Sequence, residues 1–165
     1  RSLIESVVIG MANYEATVQS DLPADRAFAL MADFANAQHW DPATLKSKQL
    51  NDGAVGEGAR FELQMKIFGR ENAIEYEIVE FDAPRRVVLR GENSGSVSID
   101  TITVEPTASG SAITYRADVT MKGGFKAIGP FFAPVFKKMG NEARDAMHEW
   151  LGEQARLGEQ ARSGA

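Results

Sequence analysis

The sequence predicts an α+β domain in which a curved antiparallel sheet is wrapped around a long C-terminal helix. Two observations support this prediction. Several segments between residues 60 and 121 alternate apolar and polar side chains, which is typical of strands with one buried face. From about residue 130 to residue 160, apolar side chains recur instead at the helical period. A strand meander closed by one long helix is an α+β order.

Length and composition indicate a single globular domain. The chain has 165 residues, of which 44% are hydrophobic and 25% are charged. A chain of this size buries enough surface to fold without a disulfide or a metal. We assign the domain to residues 11–155. Residues 1–10 are interpreted as an N-terminal extension or an addition from cloning, and residues 156–165, where the hexamer LGEQAR is repeated, as a frayed C-terminal tail.

Composition also disfavours several functional classes. The chain has no cysteine, which excludes disulfides and thiolate chemistry and is compatible with a reducing compartment. The net charge is −5 and no basic stripe is present, so we expect no nucleic-acid partner. No apolar run is long enough to span a membrane, and residues 1–10 lack the pattern of a signal peptide. We expect a cytoplasmic protein with no metal and no cofactor, and the sequence leaves the oligomeric state open.

The N-terminal third is predicted to form a strand and two short helices. The segment from Tyr14 to Gln19 alternates and is rich in β-forming residues. The next segment, SDLPADRAFALMADF, has a capping residue at Ser20 or Asp21 and apolar residues at helical spacing. We expect this helix to end near Asn36 and a second short turn to reach Trp40, before a proline stops it.

Five further strands are predicted before the long helix. They are the segments RFELQMKI, NAIEYEIVEF, RRVVLRGE, SVSIDTITVEP and SAITYRADVTM, separated by glycine or proline turns. In three of them alternate residues form a clear apolar face: Phe61, Leu63, Met65 and Ile67; Ile74, Tyr76 and Ile78; Ile113, Tyr115, Ala117, Val119 and Met121. The long helix carries its apolar stripe on Val135, Met139, Ala143, Met147 and Leu151.

These landmarks resemble the START/Bet v1-like superfamily, in particular its polyketide cyclase/dehydrase and lipid-transport group. The resemblance spans about residues 13 to 154 and is carried by SDLPADRAFALMADFANAQHWDP, VGEGARFEL, FDAPRRVVLRGE, ITVEPTASGSAITYRADV and the closing amphipathic helix. It implies a helix-grip fold with an apolar cavity between the sheet and the C-terminal helix. Alternation alone does not distinguish a cavity from a packed core. The group carries no universal catalytic motif, so no catalytic residue is transferred.

The segment FANAQHWDP places one of two histidines beside one of two tryptophans. The resemblance implies a structural corner, in which Trp40 packs at the edge of the grip. A catalytic alternative has His39 as a base and Asp41 as its orienting partner. Residues two apart on a turn rarely face each other, so we prefer the structural interpretation.

The expected ligand-binding residues follow from the apolar faces and the resemblance: Leu63, Met65, Ile74, Tyr76, Leu89, Asp100, Ile102, Tyr115, Phe132, Phe136 and Met139. Asp100 belongs to this set only if Ile102 and Val104 face inward, because residues two apart share a strand face. A buried carboxylate would then have a raised pKa, with Tyr76 and Tyr115 as hydroxyl partners. The alternative, which we slightly prefer, places Asp100 in water near the strand end or the strand in the other register.

The segment GGFKAIGPFFAPVFKKMG, which leads into the long helix, allows two interpretations. It is either a packed helix start with prolines at permitted first-turn positions, or a portal with Phe131 and Phe132 as its apolar lip.

Together these features favour reversible binding of a small hydrophobic molecule, such as a lipid or a polyketide, in an internal cavity. Two alternatives stay open. One is an enzyme of the polyketide cyclase/dehydrase type that acts on the bound ligand, which needs a titratable group aimed into the cavity. The other is a regulatory or protein-interaction module that uses the fold as a scaffold.

Overall fold

A computed structural model describes residues 11–165, and the extension predicted at 1–10 lies outside the described residues. The strands are β1 (Met11–Ser20), β2 (Thr44–Gln49), β3 (Arg60–Ile67), β4 (Arg70–Asp82), β5 (Arg86–Glu92), β6 (Ser96–Thr107) and β7 (Gly110–Met121). The helices are α1 (Ala24–Ala32), α2 (Ala37–Trp40) and α3 (Gly129–Ser163), with short 3₁₀ segments at Phe34–Asn36 and Gly123–Ile128.

Within residues 11–165 the strands form one antiparallel sheet in the order β1-β7-β6-β5-β4-β3-β2. Hairpins connect β2 through β7 in sequence, and β1 returns beside β7, where Val18 pairs with Ile113. The sheet curls around α3, and Tyr14 of β1 donates a hydrogen bond to Asn141 Oδ1 of α3 at 2.9 Å. The α+β class and the helix-grip fold are therefore confirmed.

Helix α1 starts and ends at different residues from those predicted. Pro23, with an extended backbone, occupies the N-cap position, and no side chain caps the helix there. Ser20, one of the two predicted caps, accepts a hydrogen bond from the Leu22 N–H at 3.1 Å and so stabilises the turn before the helix. The α-helix stops at Ala32, and the predicted end near Asn36 is the end of the following 3₁₀ segment.

Strand β2 is absent from the sequence prediction, and its burial pattern explains why. Thr44 and Ser47 are buried, whereas Leu45 is 49% exposed, so the usual relation between polarity and burial is reversed on this edge strand. A bulge after Thr44 also breaks the alternation. Ser47 Oγ donates to the Ala35 carbonyl at 2.7 Å and accepts from the Gln38 N–H at 3.1 Å, which fixes α2 against the sheet.

The preferred placement of Asp100 is wrong. Asp100 is 2% exposed, and Ile102 and Val104 are buried on the same face of β6. Asp100 pairs with Leu89 of β5 and with Ala117 of β7, so it lies within the sheet and not near a strand end. The register in which the carboxylate faces inward is the one that the chain adopts.

Helix α3 is longer than predicted. It runs through both LGEQAR repeats to Ser163, past residue 156, where a frayed tail was expected. Ala155 is buried in the main apolar cluster, so packing extends to the edge of the predicted tail. Near its start the helix contains Pro134, which cannot donate a backbone hydrogen bond.

The apolar interior has two parts. The larger cluster includes Phe28 of α1, Phe61 of β3 and Leu151 of α3. The smaller one consists of Val119, Met121 and Phe132, with three partly buried neighbours.

Candidate ligand cavity

A cavity of about 510 Å³ lies between the sheet and the first half of α3. Side chains of both apolar clusters line it, among them Phe34 and Leu63 of the larger cluster and Val119 and Phe132 of the smaller one. Its volume lies in the range of small-molecule sites, and its lining is predominantly apolar, as such sites usually are. The cavity that the resemblance implied is therefore present and is not filled by side chains.

Most of the predicted ligand-binding residues line this cavity: Leu63, Met65, Ile74, Tyr76, Asp100, Tyr115, Phe132, Phe136 and Met139. Leu89 and Ile102 do not line it, which corrects the prediction. Both are fully buried within the larger apolar cluster, where they contact neighbouring side chains and do not reach the cavity. Strand alternation identifies an inward face, but it does not say whether that face meets a side chain or a space.

One group of polar side chains lies at the end of the cavity that we call the inner end: Asp41, Tyr76, Ser98, Asp100 and Tyr115, together with Trp40. The other polar lining residues are Tyr14, Arg70, Asn72, Asn93 and Ser96. Ser98 Oγ donates a hydrogen bond to Asp100 Oδ1, and the Tyr115 hydroxyl donates to Asp100 Oδ2. Each oxygen of this buried carboxyl group therefore has a partner, as a buried charge requires.

Burial changes the acidity of these groups. It raises the pKa of Asp100 from 3.8 to about 6, against the opposing effect of the hydrogen bonds from Ser98 and Tyr115. Burial also raises the pKa of Tyr76 and Tyr115 well above 10.0, and the nearby Asp100 charge raises both further. Both phenols therefore keep their protons at neutral pH, whereas Asp100 changes its protonation state close to neutrality.

A second carboxyl group, Asp41, lies at the inner end. It accepts hydrogen bonds from Thr44 Oγ1 at 2.8 Å and from the Ala43 N–H at 3.0 Å, and burial raises its pKa. The spacing from Asp41 to Thr44 suits a local side-chain turn, but no sequence signal places Asp41 near Asp100. Within residues 11–165, no Lys, Arg or His side chain forms a hydrogen bond or an ion pair with either carboxyl group.

Trp40 is both a packing residue and part of the inner end. It is 3% exposed, and its ring packs edge-on against Phe34 and Tyr115, with centroid separations of 5.9 and 5.5 Å. Its Nε1–H has no hydrogen-bond partner among the described residues. A buried N–H without a partner costs about 1–3 kcal/mol.

The structure does not bring His39 and Asp41 together. His39 is exposed, and its ring stacks on Trp150 with centroids 6.0 Å apart. Asp41 is instead held by Thr44 and by the backbone. The geometry therefore agrees with a structural role for this corner.

The opposite end of the cavity is open, and we call it the mouth. It is lined by exposed residues of the β3–β4 turn and of the 3₁₀ segment before α3: Phe68, Arg70, Phe125 and Ile128. Phe132 is buried there and contacts Phe68 and Phe136, with ring centroids 6.0 and 5.4 Å apart. Phe131 is 77% exposed and does not line the cavity, so only one of the two predicted lip residues faces it.

Strand β4 connects the two ends of the cavity. Arg70 at its start lines the mouth, and Tyr76 lies at the inner end. At about 3.3 Å per residue, these positions are roughly 20 Å apart along the strand. The cavity thus suits an elongated molecule with one end near Arg70 and the other near Tyr76.

No group of three or more His, Cys, Asp or Glu side chains between residues 11 and 165 is placed to hold a metal ion. No helix in that range is both long and apolar enough to cross a membrane.

Residues 11–153 match the family described as polyketide cyclase / dehydrase and lipid transport. The chain belongs to this family. The resemblance stated from the sequence is confirmed.

Two relatives from Mycobacterium tuberculosis are similar in sequence. An uncharacterised protein is 30% identical over 77 residues, which make up 46% of this chain and 52% of that protein. The chain thus spans about half the length of this relative. A protein named as a toxin is 22% identical over 142 residues, which make up 86% of this chain and 96% of that one.

Solved structures show the same fold. The Zhui aromatase/cyclase from Streptomyces has a TM-score of 0.71 and 15% identity, and the match covers 86% of this chain and 93% of that one. A START superfamily protein from Mycobacterium smegmatis has a TM-score of 0.67 and 14% identity, and the match covers 88% and 98% of the two chains. At such identities the likeness concerns the fold.

Proposed function

We propose that the protein reversibly binds a small hydrophobic molecule, such as a lipid or a polyketide-like compound, whose polar end lies at the inner end of the cavity. The cavity itself carries this proposal: about 510 Å³, apolar along most of its wall, with one polar cluster at its closed end. Apolar burial provides affinity at about 25 cal/mol per Å². The paired polar groups around Asp100 provide orientation.

The ligand enters and leaves through the mouth. Phe68 and Phe125 are exposed there, and they belong to a turn and to a short 3₁₀ segment instead of long regular elements. Such segments open at lower free energy than packed helices and strands. The inner end, in contrast, is closed by Phe34, Trp40 and Tyr76, which are all buried.

Native mass spectrometry of the purified protein tests this function, followed by solvent extraction of any co-purified compound. In parallel, the neutral fluorophore N-phenylnaphthylamine reports access to the cavity. Ala117 lines the cavity, so Ala117→Phe should fill it and reduce fluorophore binding at least tenfold. Ala73 is exposed on β4, so Ala73→Phe is the matched control and should bind like the parent. Equal binding by all three proteins would contradict the proposed cavity site.

A second function, an enzyme of the cyclase/dehydrase type, is favoured by one specific observation. Asp100 lines the cavity with a pKa raised to about 6, and the Tyr115 hydroxyl is bonded to it. A carboxyl group that titrates near neutral pH can take and return a proton from a bound ligand. The name of the structurally similar Zhui protein, an aromatase/cyclase, agrees with this class of chemistry.

Asp100→Asn separates the two functions. For a carrier, this variant should change only the affinity or orientation of the bound ligand once stability is matched, because no reaction depends on the carboxyl group. An enzyme should keep ligand binding but lose turnover of a bound polyketide-like chain by a factor of about 100 or more. Tyr115→Phe, which removes one hydrogen bond from Asp100, should give a smaller loss of the same kind.

A further inference from the structure

We propose that the ligand ends in a hydroxyl group at the inner end of the cavity, which accepts a hydrogen bond from the Tyr76 hydroxyl and donates one to the Asp100 carboxylate. An acidic group on the ligand is accommodated only at the mouth, beside Arg70. This inference rests on the proposed binding function and adds the chemical class of each end of the ligand.

The first argument is the state of the three tyrosine hydroxyls. Tyr14 donates a hydrogen bond to Asn141, and Tyr115 donates one to Asp100. The Tyr76 hydroxyl forms no hydrogen bond among the described residues, although the side chain is only 5% exposed. Its oxygen keeps accessible surface, and because Tyr76 lines the cavity, that surface faces the cavity. A free hydroxyl at the inner end is therefore available to a ligand.

The second argument is the position of this hydroxyl. Tyr76 of β4 and Ser98 of β6 pair with the same residue of β5, Gly91. The Tyr76 ring lies across Gly91, since a Cβ there would be 2.5 Å from the ring, and so points toward β6. Burial raises the pKa of Tyr76, the Asp100 charge raises it further, and Ser98 lowers it, as expected of close neighbours. Ser98 directs its own proton to Asp100, so the free hydroxyl and the carboxylate border the same space.

These two groups together favour a ligand atom that both accepts and donates. The Tyr76 hydroxyl has a proton to donate, and each Asp100 oxygen accepts one bond and has a further lone pair. A ligand hydroxyl supplies lone pairs for the first and a proton for the second. A ketone bonds only to Tyr76. An ammonium group bonds only to acceptors and gives up its hydration beside a carboxylate that two donors already stabilise, so we infer the hydroxyl over both.

The third argument is the distribution of charge along the cavity. The lining includes three charged side chains: Asp41 and Asp100 at the inner end, and Arg70 at the mouth, roughly 20 Å away along β4. A ligand carboxylate at the inner end would meet two acidic groups in a low-dielectric site without a nearby cation. Beside Arg70, which forms no ion pair among the described residues, it meets a cation in contact with solvent, where pairing is weak but favourable.

Four compounds that share one undecyl chain test the inference: lauryl alcohol, methyl undecyl ketone, laurate and laurylamine. Each is titrated against the protein loaded with N-phenylnaphthylamine at pH 8, where laurate is ionised and Asp100, with a pKa of about 6, is ionised as well. Lauryl alcohol should displace the fluorophore at a concentration at least about fivefold lower than any of the other three compounds does.

Two variants separate the two ends. Tyr76→Phe keeps the ring and should weaken lauryl alcohol binding roughly fivefold, with a nearly unchanged free energy of unfolding because the hydroxyl has no protein partner to lose. Tyr14→Phe is the matched control: Tyr14 also lines the cavity, but its hydroxyl is engaged by Asn141, so the alcohol should weaken less than about twofold. Arg70→Gln should weaken laurate binding about threefold at low salt, a larger effect than on lauryl alcohol.

A second measurement uses the unaltered protein, so it does not depend on how well a variant folds. The three tyrosines give three signals in a sample labelled with ¹³C at tyrosine Cζ. Lauryl alcohol should shift the Tyr76 signal most, because that hydroxyl gains a hydrogen-bond partner. Laurate should shift the same signal less, because its carboxylate stays at the mouth.

Several outcomes would overturn the inference while leaving the proposed function intact. These are any of the other three compounds binding as tightly as lauryl alcohol, a Tyr76→Phe variant that binds the alcohol like the parent, or bound alcohol that does not move the Tyr76 signal. If neither the fluorophore nor any compound of the series bound, the proposed function itself would fail, and the inference with it.

Discussion

The two ends of the cavity differ in residue type and in how they are held. At the inner end, aromatic rings pack edge-on against one another, and Tyr76 lies 5.1 Å from Phe34 between ring centroids. Ser98 and Asp100 are buried there, and Asp100 accepts hydrogen bonds from Ser98 and Tyr115. At the mouth, Phe68, Phe125 and Ile128 are exposed, and helix α3 starts with prolines.

This difference separates two tasks that a reversible binding protein must perform. The inner end has a fixed geometry, which allows it to distinguish ligands by their polar groups. The mouth has few buried contacts, which allows it to open without unfolding the core. Four predictions test this separation, in order of decreasing effect.

The largest effect is expected from truncating a ring at each end. Trp40→Ala should lower the free energy of unfolding by about 3–5 kcal/mol, because it removes a buried ring from the larger apolar cluster. Phe125→Ala should change it by no more than about 0.5 kcal/mol, because that ring is largely in solvent. Urea denaturation of both variants measures the difference, and similar losses at the two ends would contradict the separation.

The second prediction concerns pH. Because the folded-state pKa of Asp100 is raised from 3.8 to about 6, folding favours its protonated form. The contribution of Asp100 to stability is therefore fully present below about pH 4 and is lost as pH rises through 6. The difference corresponds to about 3 kcal/mol at most.

Asp100→Asn is the control for this pH effect. The parent should lose stability between pH 4 and pH 7 relative to the variant, in urea denaturation at a series of pH values. The stability of the variant should still fall as pH rises, but less steeply, because burial also raises the pKa of Asp41. Parallel pH profiles for the two proteins would show that Asp100 is not buried as described.

The third prediction compares one glycine from each end. A Cβ at Gly91 would lie 2.5 Å from the Tyr76 ring, whereas a Cβ at Gly95 would meet Phe125 at an ordinary 3.6 Å. Gly91→Ala should displace the Tyr76 ring, cost about 1–3 kcal/mol and weaken ligand binding. Gly95→Ala should be nearly neutral in both measurements. A neutral Gly91→Ala would mean that the inner end is looser than the packing indicates.

The smallest free energies are expected for local opening at the mouth. Amide hydrogens in residues 122–133 should exchange faster than those in residues 139–150, because the first range is short 3₁₀ structure and the first turn of α3. Pro134 also removes one hydrogen bond from that part of the helix. Hydrogen exchange with mass spectrometry measures both ranges in one sample, and strong, equal protection would exclude the mouth as the route of access.

Most of the fold could be predicted because its strands and long helix follow simple periodicities. Phe61 and Leu63, for example, alternate with polar residues and are buried as expected. Strand β2 could not be predicted, because Thr44 and Ser47 face inward to bond Asp41, α2 and the 3₁₀ segment before it, while Leu45 faces solvent. Local bonding there outweighs the polarity pattern.

The candidate site was predictable in part for a related reason. Alternation identifies inward-facing residues, so Met65, Tyr76 and Tyr115 were found. Both faces of β6 carry apolar residues, so alternation does not identify which face points inward. The inward position of Asp100 is therefore known only from the folded structure. The position of Asp41 near Asp100 depends on contacts between segments that are distant in sequence. No local sequence pattern contains such contacts.

The orientation of a bound ligand tests whether the two ends of the cavity have these separate roles. Methyl undecyl ketone, labelled with ¹³C at both terminal methyl groups, is added to the protein, and intermolecular nuclear Overhauser effects are recorded. We predict contacts from the ketone methyl group to the Tyr76 and Tyr115 rings, and from the other methyl group to Phe125 and Phe132. Contacts in the opposite sense, or contacts only with exposed surface residues, would contradict a cavity whose inner end recognises the polar group and whose mouth admits the chain.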